Sequence, residues 1–233
     1  GRVIYVWANN ALADNTTTMA LRGIIYNADG TLWQGEFQLN GLWSVDGFDG
    51  FDWDSLSVDA LPNGNVVISY VRNTAETGGD EPVFSIINPN ITPILNGFYV
   101  AQNVEIQQFD ATTYESPPVT TVLNDGRILF VWSRDAIADD SKSVQLQGRI
   151  FNANGTPATG EFSVANWAVD GSDGYDLASL TVTQTTGGNI IVGFVRSAAE
   201  TGGDEPVFSV LNSNGVLLNG GIEIQQNDVT QWE

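Results

Sequence analysis

Four short apolar runs punctuate the chain at near-even intervals: VIYVW (3–7), VVISYV (66–71), ILFVW (128–132) and IIVGFV (190–195). Runs of β-branched and aromatic residues of this length predict strands covered on both faces. The segment after each run alternates instead. In VQLQGRIF (144–151), Val144, Leu146 and Ile150 share one parity while Gln145, Gln147 and Arg149 share the other, the pattern of a half-buried strand. Turn-like stretches come next: NADG (27–30), NPN (88–90), NANG (152–155) and NSNG (212–215). Asn and Gly accept positive φ, so these are expected as hairpin turns. A fourth short strand follows, as in GEFQLN (35–40) and GEFSVA (160–165), and a first strand precedes each run, as in SLSVDAL (55–61) and PPVTTVL (117–123). Helical periodicity is absent throughout.

The pattern recurs because the sequence does. AETGGDEPVFS stands at 75–85 and again, letter for letter, at 199–209, a shift of 124 residues. Each half is itself double, so the underlying unit is about 62 residues. Four antiparallel strands per unit, four times over, predict an all-β β-propeller: one propeller-like domain over 1–233, with blades near 1–45, 46–108, 109–169 and 170–233. The rival is a string of small β-sandwiches, but so short a unit buries little core alone. Glu233 aligns with Glu115 and Gly1 with Gly126, which leaves Ser116–Asp125 without a counterpart at either terminus. That segment is a whole first strand. The first blade is therefore expected to lack one, and its open edge to be filled by further chain of a longer array or by self-association with a neighbouring protomer.

Charge narrows the partners. Eight basic against twenty-eight acidic residues give a formal charge of −20, which excludes the basic footprint that nucleic acid requires and disfavours an anionic membrane surface. No run reaches the length of a membrane span, so membrane insertion is not expected. The chain has no Cys, which rules out disulfides and thiolate metal sites. Strong acidity suits a solvated surface, a saline medium or bound cations.

A family resemblance rests on D-G-R-I-L-F-V-W (125–132), N-A-N-G-T-x-x-x-G-E-F (152–162) and S-P-P-V (116–119). These motifs resemble the Trp-containing repeats of large secreted bacterial proteins of the RTX and adhesin type. The resemblance is clearest in the first and third units; the second and fourth lack the Trp. It implies a secreted or cell-surface bacterial protein, often with calcium-binding segments nearby. The G-G-x-G-x-D-x-U-x nonapeptide of the RTX calcium roll is absent, so that motif does not carry calcium over to this chain.

In a propeller of this kind, the loop between the second and third strands and the loop to the next blade share one face. Here that face is expected to carry all the long, acidic loops, while tight turns occupy the other. Two Asp-Gly-x-Asp-Gly-x-Asp runs fall there: Asp46, Asp49, Asp52 and Asp54, then Asp170, Asp173 and Asp176. Several convergent oxygens with flexible Gly between them suit calcium, although the spacing is not that of an EF-hand. The bland alternative is a solvated inter-blade loop. Glu76, Asp80 and Glu81, with Glu200, Asp204 and Glu205, form a duplicated second group, which recent duplication alone also explains. Trp53, Tyr114, Trp167, Tyr175 and Trp232 lie beside these carboxylates and could stack on sugar rings or merely plug gaps between blades. Trp7 and Trp132, which end apolar runs, are expected to be packing residues.

With neither His nor Cys, Ser-His-Asp, Cys-His and His-zinc chemistry are excluded. A carboxylate pair for glycoside hydrolysis stays open. NADGTLW (27–33) sits where sialidase-type propellers carry an Asp box, but its spacing differs and Asn154 replaces Asp29 in the sister copy. The sequence is accordingly read as a non-enzymatic, adhesin-like binding or structural module, calcium-stabilised, whose partner is an extracellular glycan or surface protein. The alternatives are a lectin-like propeller and, behind it, a carboxylate-dependent glycoside hydrolase.

Overall fold

In the computed structural model the described residues are 1–9, 20–39, 55–74, 79–93, 97–108, 116–134, 143–170, 179–198 and 203–224. They form fifteen strands in four antiparallel sheets, each sheet in simple up-and-down order. The first holds β1 (Arg2–Asn9), β2 (Ala20–Asn27) and β3 (Leu32–Gln38). The second holds β4 (Ser57–Ala60), β5 (Val66–Thr74), β6 (Gly79–Ile87) and β7 (Tyr99–Glu105). The third holds β8 (Val119–Val122), β9 (Ile128–Arg134), β10 (Ser143–Phe151) and β11 (Phe162–Asp170). The fourth holds β12 (Thr181–Gln184), β13 (Ile190–Ala198), β14 (Gly203–Leu211) and β15 (Leu217–Glu223). The architecture is that of β-propeller blades. The first sheet has three strands, as the lack of a counterpart to Ser116–Asp125 predicts.

The hairpin turns follow one scheme. In 27–31 the Asn27 amide donates to the Thr31 carbonyl, the Gly30 amide donates to the Asn27 carbonyl, and Gly30 sits at φ 84°. The same bonds recur at 61–65, 123–127, 185–189 and 212–216. This is the three-residue hairpin loop whose last residue must be left-handed, which is why a Gly stands there each time. At four turns the side chain just before that Gly closes the turn: Asp29, Asn63, Asp125 and Asn154 each accept the amide two residues on. In 212–216 Asn212 accepts the Val216 amide instead.

The chain divides into two compact units, Gly1–Ile106 with Ala153–Thr156, and Gln107–Asn152 with Pro157–Glu233. In the first unit the first and second sheets share a core that includes Leu21, Ile25, Phe37, Ile68, Tyr70, Val83 and Phe98. Phe37 and Phe98 meet edge to face at 5.4 Å. In the second unit the third and fourth sheets are joined by Leu129, Val131, Leu146, Ile150 and Val164 against Ile190, Val192, Phe194, Val207 and Leu211. Burial of this apolar surface is the main force holding each pair of sheets together.

Two features within the sheets come straight from the repeat. Gly148 faces Phe162 across β10 and β11, and Gly23 faces Phe37 across β2 and β3. In each case the aromatic ring lies over the glycine, filling the space a side chain would take. Ser55, Ser116 and Ser179 each accept, through the hydroxyl oxygen, the amide of an inner-strand residue: Val71, Ser133 and Val195, at 2.8, 2.9 and 2.8 Å. These bonds satisfy amides at the strand ends that no first-strand backbone reaches.

The apolar runs differ from expectation in burial. Those in β5 and β9 are buried throughout, but β13 buries only alternate residues and β1 exposes Val3 (45%) and Tyr5 (58%). Conversely β10, expected to be half-buried, also buries Gln147, Gly148 and Phe151 on or beside its polar parity. What covers a strand is decided by its neighbours rather than by its own pattern.

Tyr99 gives one measurable consequence. At the start of β7 it donates to the Leu39 carbonyl, and burial pushes its phenol up from its ordinary 10.0 to about 12. The folded state thus holds the phenolic proton more tightly than the unfolded chain. Its contribution to stability is complete below pH 10 and disappears as the pH rises from 10 towards 12. Tyr99→Phe should flatten the stability curve in that window, as read by urea unfolding at stepped pH. An unchanged slope would show that other groups govern alkaline unfolding.

Candidate functional site

Strand pairing sorts the connections into two ends. In the first sheet Asn9 lies opposite Ala20 and Arg22 opposite Gln38, so segments 10–19 and 40–54 attach at one end. In the second, Thr74 pairs with Gly79, Ser57 with Ser69 and Val83 with Glu105, so 40–54, 75–78 and 109–115 attach at the corresponding end. In the third, Gln145 pairs with Arg134, Ser143 with Asp170 and Val119 with Val131, which gathers 109–115, 135–142 and 171–178. The fourth repeats the arrangement for 171–178, 199–202 and 225–233. The connections 10–19, 40–54, 75–78, 109–115, 135–142, 171–178 and 199–202 therefore leave their sheets from one end, while the other end carries the short turns together with the connections 88–98 and 152–161. The expectation that everything long lies at one end is met only in part.

Most sequence-predicted residues belong to those connections. Asp46, Asp49, Asp52, Asp54, Asp173, Asp176, Glu76, Glu200, Trp53, Tyr114, Tyr175 and Trp232 lie outside the described residues. Asp80, Asp204 and Glu205 are placed by backbone in β6 and β14, and Trp167 and Asp170 in β11. Among the described residues no three His, Cys, Asp or Glu gather as a group able to hold a metal ion.

Glu81 is the candidate whose side chain is described, and it is buried at 7% exposure. Register places Arg72 directly opposite it, and in the sister copy Arg196 directly opposite Glu205. The backbone register is thus the same in the two copies. Glu161, just before β11, accepts the Gln108 amide. Burial lowers the pKa of Arg149, and the nearby Glu161 carboxylate offsets only part of that.

Asp29 belongs to the other end. It accepts both the amide and the hydroxyl of Thr31, at 3.0 and 2.6 Å, and the Thr31 hydroxyl and amide hold its carboxyl below the ordinary carboxylate value. Asn154 makes the same two bonds to Thr156, at 3.1 and 2.7 Å. The Asp-box-like turn is thus a turn fastener, and an amide serves as well as a carboxylate there.

One polar residue was missed from the sequence. Gln107, just beyond β7, is 6% exposed and leaves its side-chain carbonyl oxygen without a hydrogen-bond partner among the described residues. It adjoins a long-connection attachment point, where an unspent acceptor can serve a ligand hydroxyl. The signal available was the doubled QQ at 107–108 and 225–226.

No protein-family model matches the chain, and no curated protein matches it. Solved structures do. An α-L-arabinofuranosidase from Fusarium graminearum superposes with a TM-score of 0.53 at 11% identity, over 99% of this chain and 65% of that one. An α-L-arabinanase from Penicillium chrysogenum, complexed with arabinobiose, gives 0.52 at 16% identity, over 95% of this chain and 59% of that one. An endo-arabinase from Bacteroides thetaiotaomicron gives 0.50 at 10% identity, over 96% and 77%. The adhesin-like, non-enzymatic reading is overturned by these likenesses, since the fold this chain shares is one on which glycoside hydrolases are built. The error lay in the weight given to the absent His and Cys: glycoside hydrolysis needs only carboxylates. What the likenesses establish for this chain itself is its fold, an all-β propeller.

Proposed function

We propose that this chain acts on glycans as a carboxylate-dependent glycoside hydrolase, with its chemistry at the end of the sheets that carries the long connections. The observation supporting this most is the fold shared, across nearly the whole chain, with enzymes described as arabinanases and an arabinofuranosidase. The second support is compositional: carboxylates and aromatic residues crowd the segments attached at that one end. One carboxylic acid would protonate the leaving oxygen, and a second carboxylate would act as base or nucleophile. Their source would be the two Asp runs or the Glu76–Asp80 and Glu200–Asp204 segments, while aromatic rings such as Trp53 and Trp167 would stack on the sugar. A polymeric substrate of this kind places the protein outside the cell. Calcium in the Asp runs would act by ordering the connections rather than in the reaction.

The test is release of reducing ends from arabinan, arabino-oligosaccharides and xylan, with tryptophan fluorescence read alongside. Turnover is expected, with at least about a hundredfold loss when the acid or base is replaced, as in an Asp→Asn scan of the two runs. A fluorescence change without turnover favours the lectin-like reading. Absence of both overturns the proposal. The same samples, melted in EDTA, in calcium and in sodium at matched ionic strength, test the cation: calcium must raise the melting temperature beyond what sodium screening gives.

A further inference from the structure

Three of the tight turns carry an Asn-Gly pair at the same place: Asn63-Gly64, Asn154-Gly155 and Asn214-Gly215. Such a pair holds its own reagents. The glycine nitrogen, with no Cβ beside it, can attack the side-chain carbonyl carbon of the asparagine, provided the chain is free to bring the two within reach. The sequence makes the three pairs alike, and the packing around them does not. Of the other Asn-Gly pairs, Asn219 sits opposite Val210 in the ladder of β14 and β15, and Asn40 and Asn96 lie outside the described residues.

In the first unit, Asn63 and Gly64 are both exposed, and a Cβ on Gly64 would meet nothing within 4 Å. Among the described residues, the bonds holding this pair are those of the turn itself. The Gly64 amide donates to the Leu61 carbonyl at 2.9 Å, and the Asn65 amide donates to Asn63 Oδ1 at 3.0 Å. Gly155, in the same unit, is buried, and a Cβ there would stand 2.4 Å from the Ala101 side chain. The Thr156 amide and hydroxyl both donate to Asn154 Oδ1. In the second unit Gly215 is buried under the Phe162 ring, 2.4 Å from where a Cβ would be, and Arg127 donates to Asn214 Oδ1 at 3.1 Å. Each of these contacts lies inside one unit. The donors on Asn154 and Asn214 also polarise the carbonyl, but that counts only once the nitrogen can reach it. A buried glycine cannot swing towards its neighbour without first leaving its packing.

We propose that Asn63 is a site of spontaneous deamidation in the folded protein, and that Asn154 and Asn214 are protected from it. Base removes the Gly64 amide proton, the nitrogen bonds to Asn63 Cγ, the bond from Cγ to Nδ2 breaks, and ammonia leaves, taking up a proton from solvent. Water then opens the ring at one carbonyl or the other, giving an aspartyl or an isoaspartyl residue. The two products differ in consequence. An aspartate already occupies this seat in sister turns, where Asp29 and Asp125 each accept the amide two residues on, as Asn63 does. Isoaspartate routes the main chain through the side-chain methylene and lengthens a loop whose length sets its geometry. It would break the turn that sets Ala60 opposite Val66 in β4 and β5.

The experiment is incubation of the folded chain in mildly alkaline buffer, beside the same chain in concentrated urea. Peptide mapping, with fragmentation that separates aspartyl from isoaspartyl, reads each site. In urea the three sites should convert at similar rates, since Gly follows each Asn. In the folded chain Asn63 should convert at least about ten times faster than Asn154 or Asn214, a difference of about 1.4 kcal/mol in barrier. Phe162→Leu, checked for folding by circular dichroism, should raise the rate at Asn214 and leave Asn63 unchanged. Asn63→Asp should melt with the unaltered chain, whereas aged protein enriched in isoaspartate at 63 should melt lower. A folded chain in which Asn63 reacts no faster than Asn154 or Asn214 overturns the proposal. An isoaspartyl product that melts like the unaltered chain overturns the consequence drawn for the turn.

Discussion

Phe130→Ala should destabilise the protein by about 3–5 kcal/mol, whereas Tyr5→Ala, at the equivalent position 125 residues earlier, should cost within about 0.5 kcal/mol at micromolar dilution. Phe130 is at 0% exposure and packs on the fully buried Phe151, so truncation leaves a cavity in a layer that cannot collapse freely. Tyr5 makes the corresponding contact with Tyr26 but is 58% exposed, and water fills the space left by its ring. For a chain of this size the Phe130 change corresponds to a fall in melting temperature of roughly 6–20 °C. Thermal unfolding followed by circular dichroism reads both variants. Equal effects at the two positions would mean that the exposure difference between the repeats is not present in solution.

Gly148→Ala should also destabilise, by about 1–3 kcal/mol, against the usual expectation for a strand. Replacing Gly by Ala in an extended strand ordinarily gains about 0.5–1 kcal/mol, because the unfolded chain loses freedom. Here an added Cβ would stand 2.5 Å from a ring carbon of Phe162, which is also hemmed in by Gly215 from the other side. The ring cannot move without meeting that turn. Gly23→Ala should show the same sign, since its Cβ would lie 2.8 Å from Phe37. Coupling Gly148→Ala with Phe162→Leu should recover part of the loss in a double-mutant comparison by urea unfolding. A stabilising Gly148→Ala would mean the ring yields, and that the Gly–Phe register is a relic of duplication.

The turns and strands were legible because local chemistry decides them. Asn and Gly at fixed offsets dictate the left-handed position of each hairpin, and the apolar runs dictate where strands lie. Burial was not legible in the same way: VIYVW and ILFVW are near-identical as patterns, yet one is half exposed and the other dry. The difference comes from what covers each strand, which no local pattern encodes. The candidate site was legible only as a set of segments joined to one end of each sheet, and the other end also carries the connections 88–98 and 152–161. The burial of Glu81 was hidden, because strand pairing rather than local sequence sets it. Function was misjudged where an absence, the missing His and Cys, was given more weight than the carboxylates that were present.

The pairing of sheets around shared cores bears on how such a chain can change length over generations. Deleting one sheet would bare the core face of its partner, whereas deleting or copying 124 residues carries a complete core with it. The heritable module is therefore the pair of sheets, and lineages of this chain should grow or shrink in even steps.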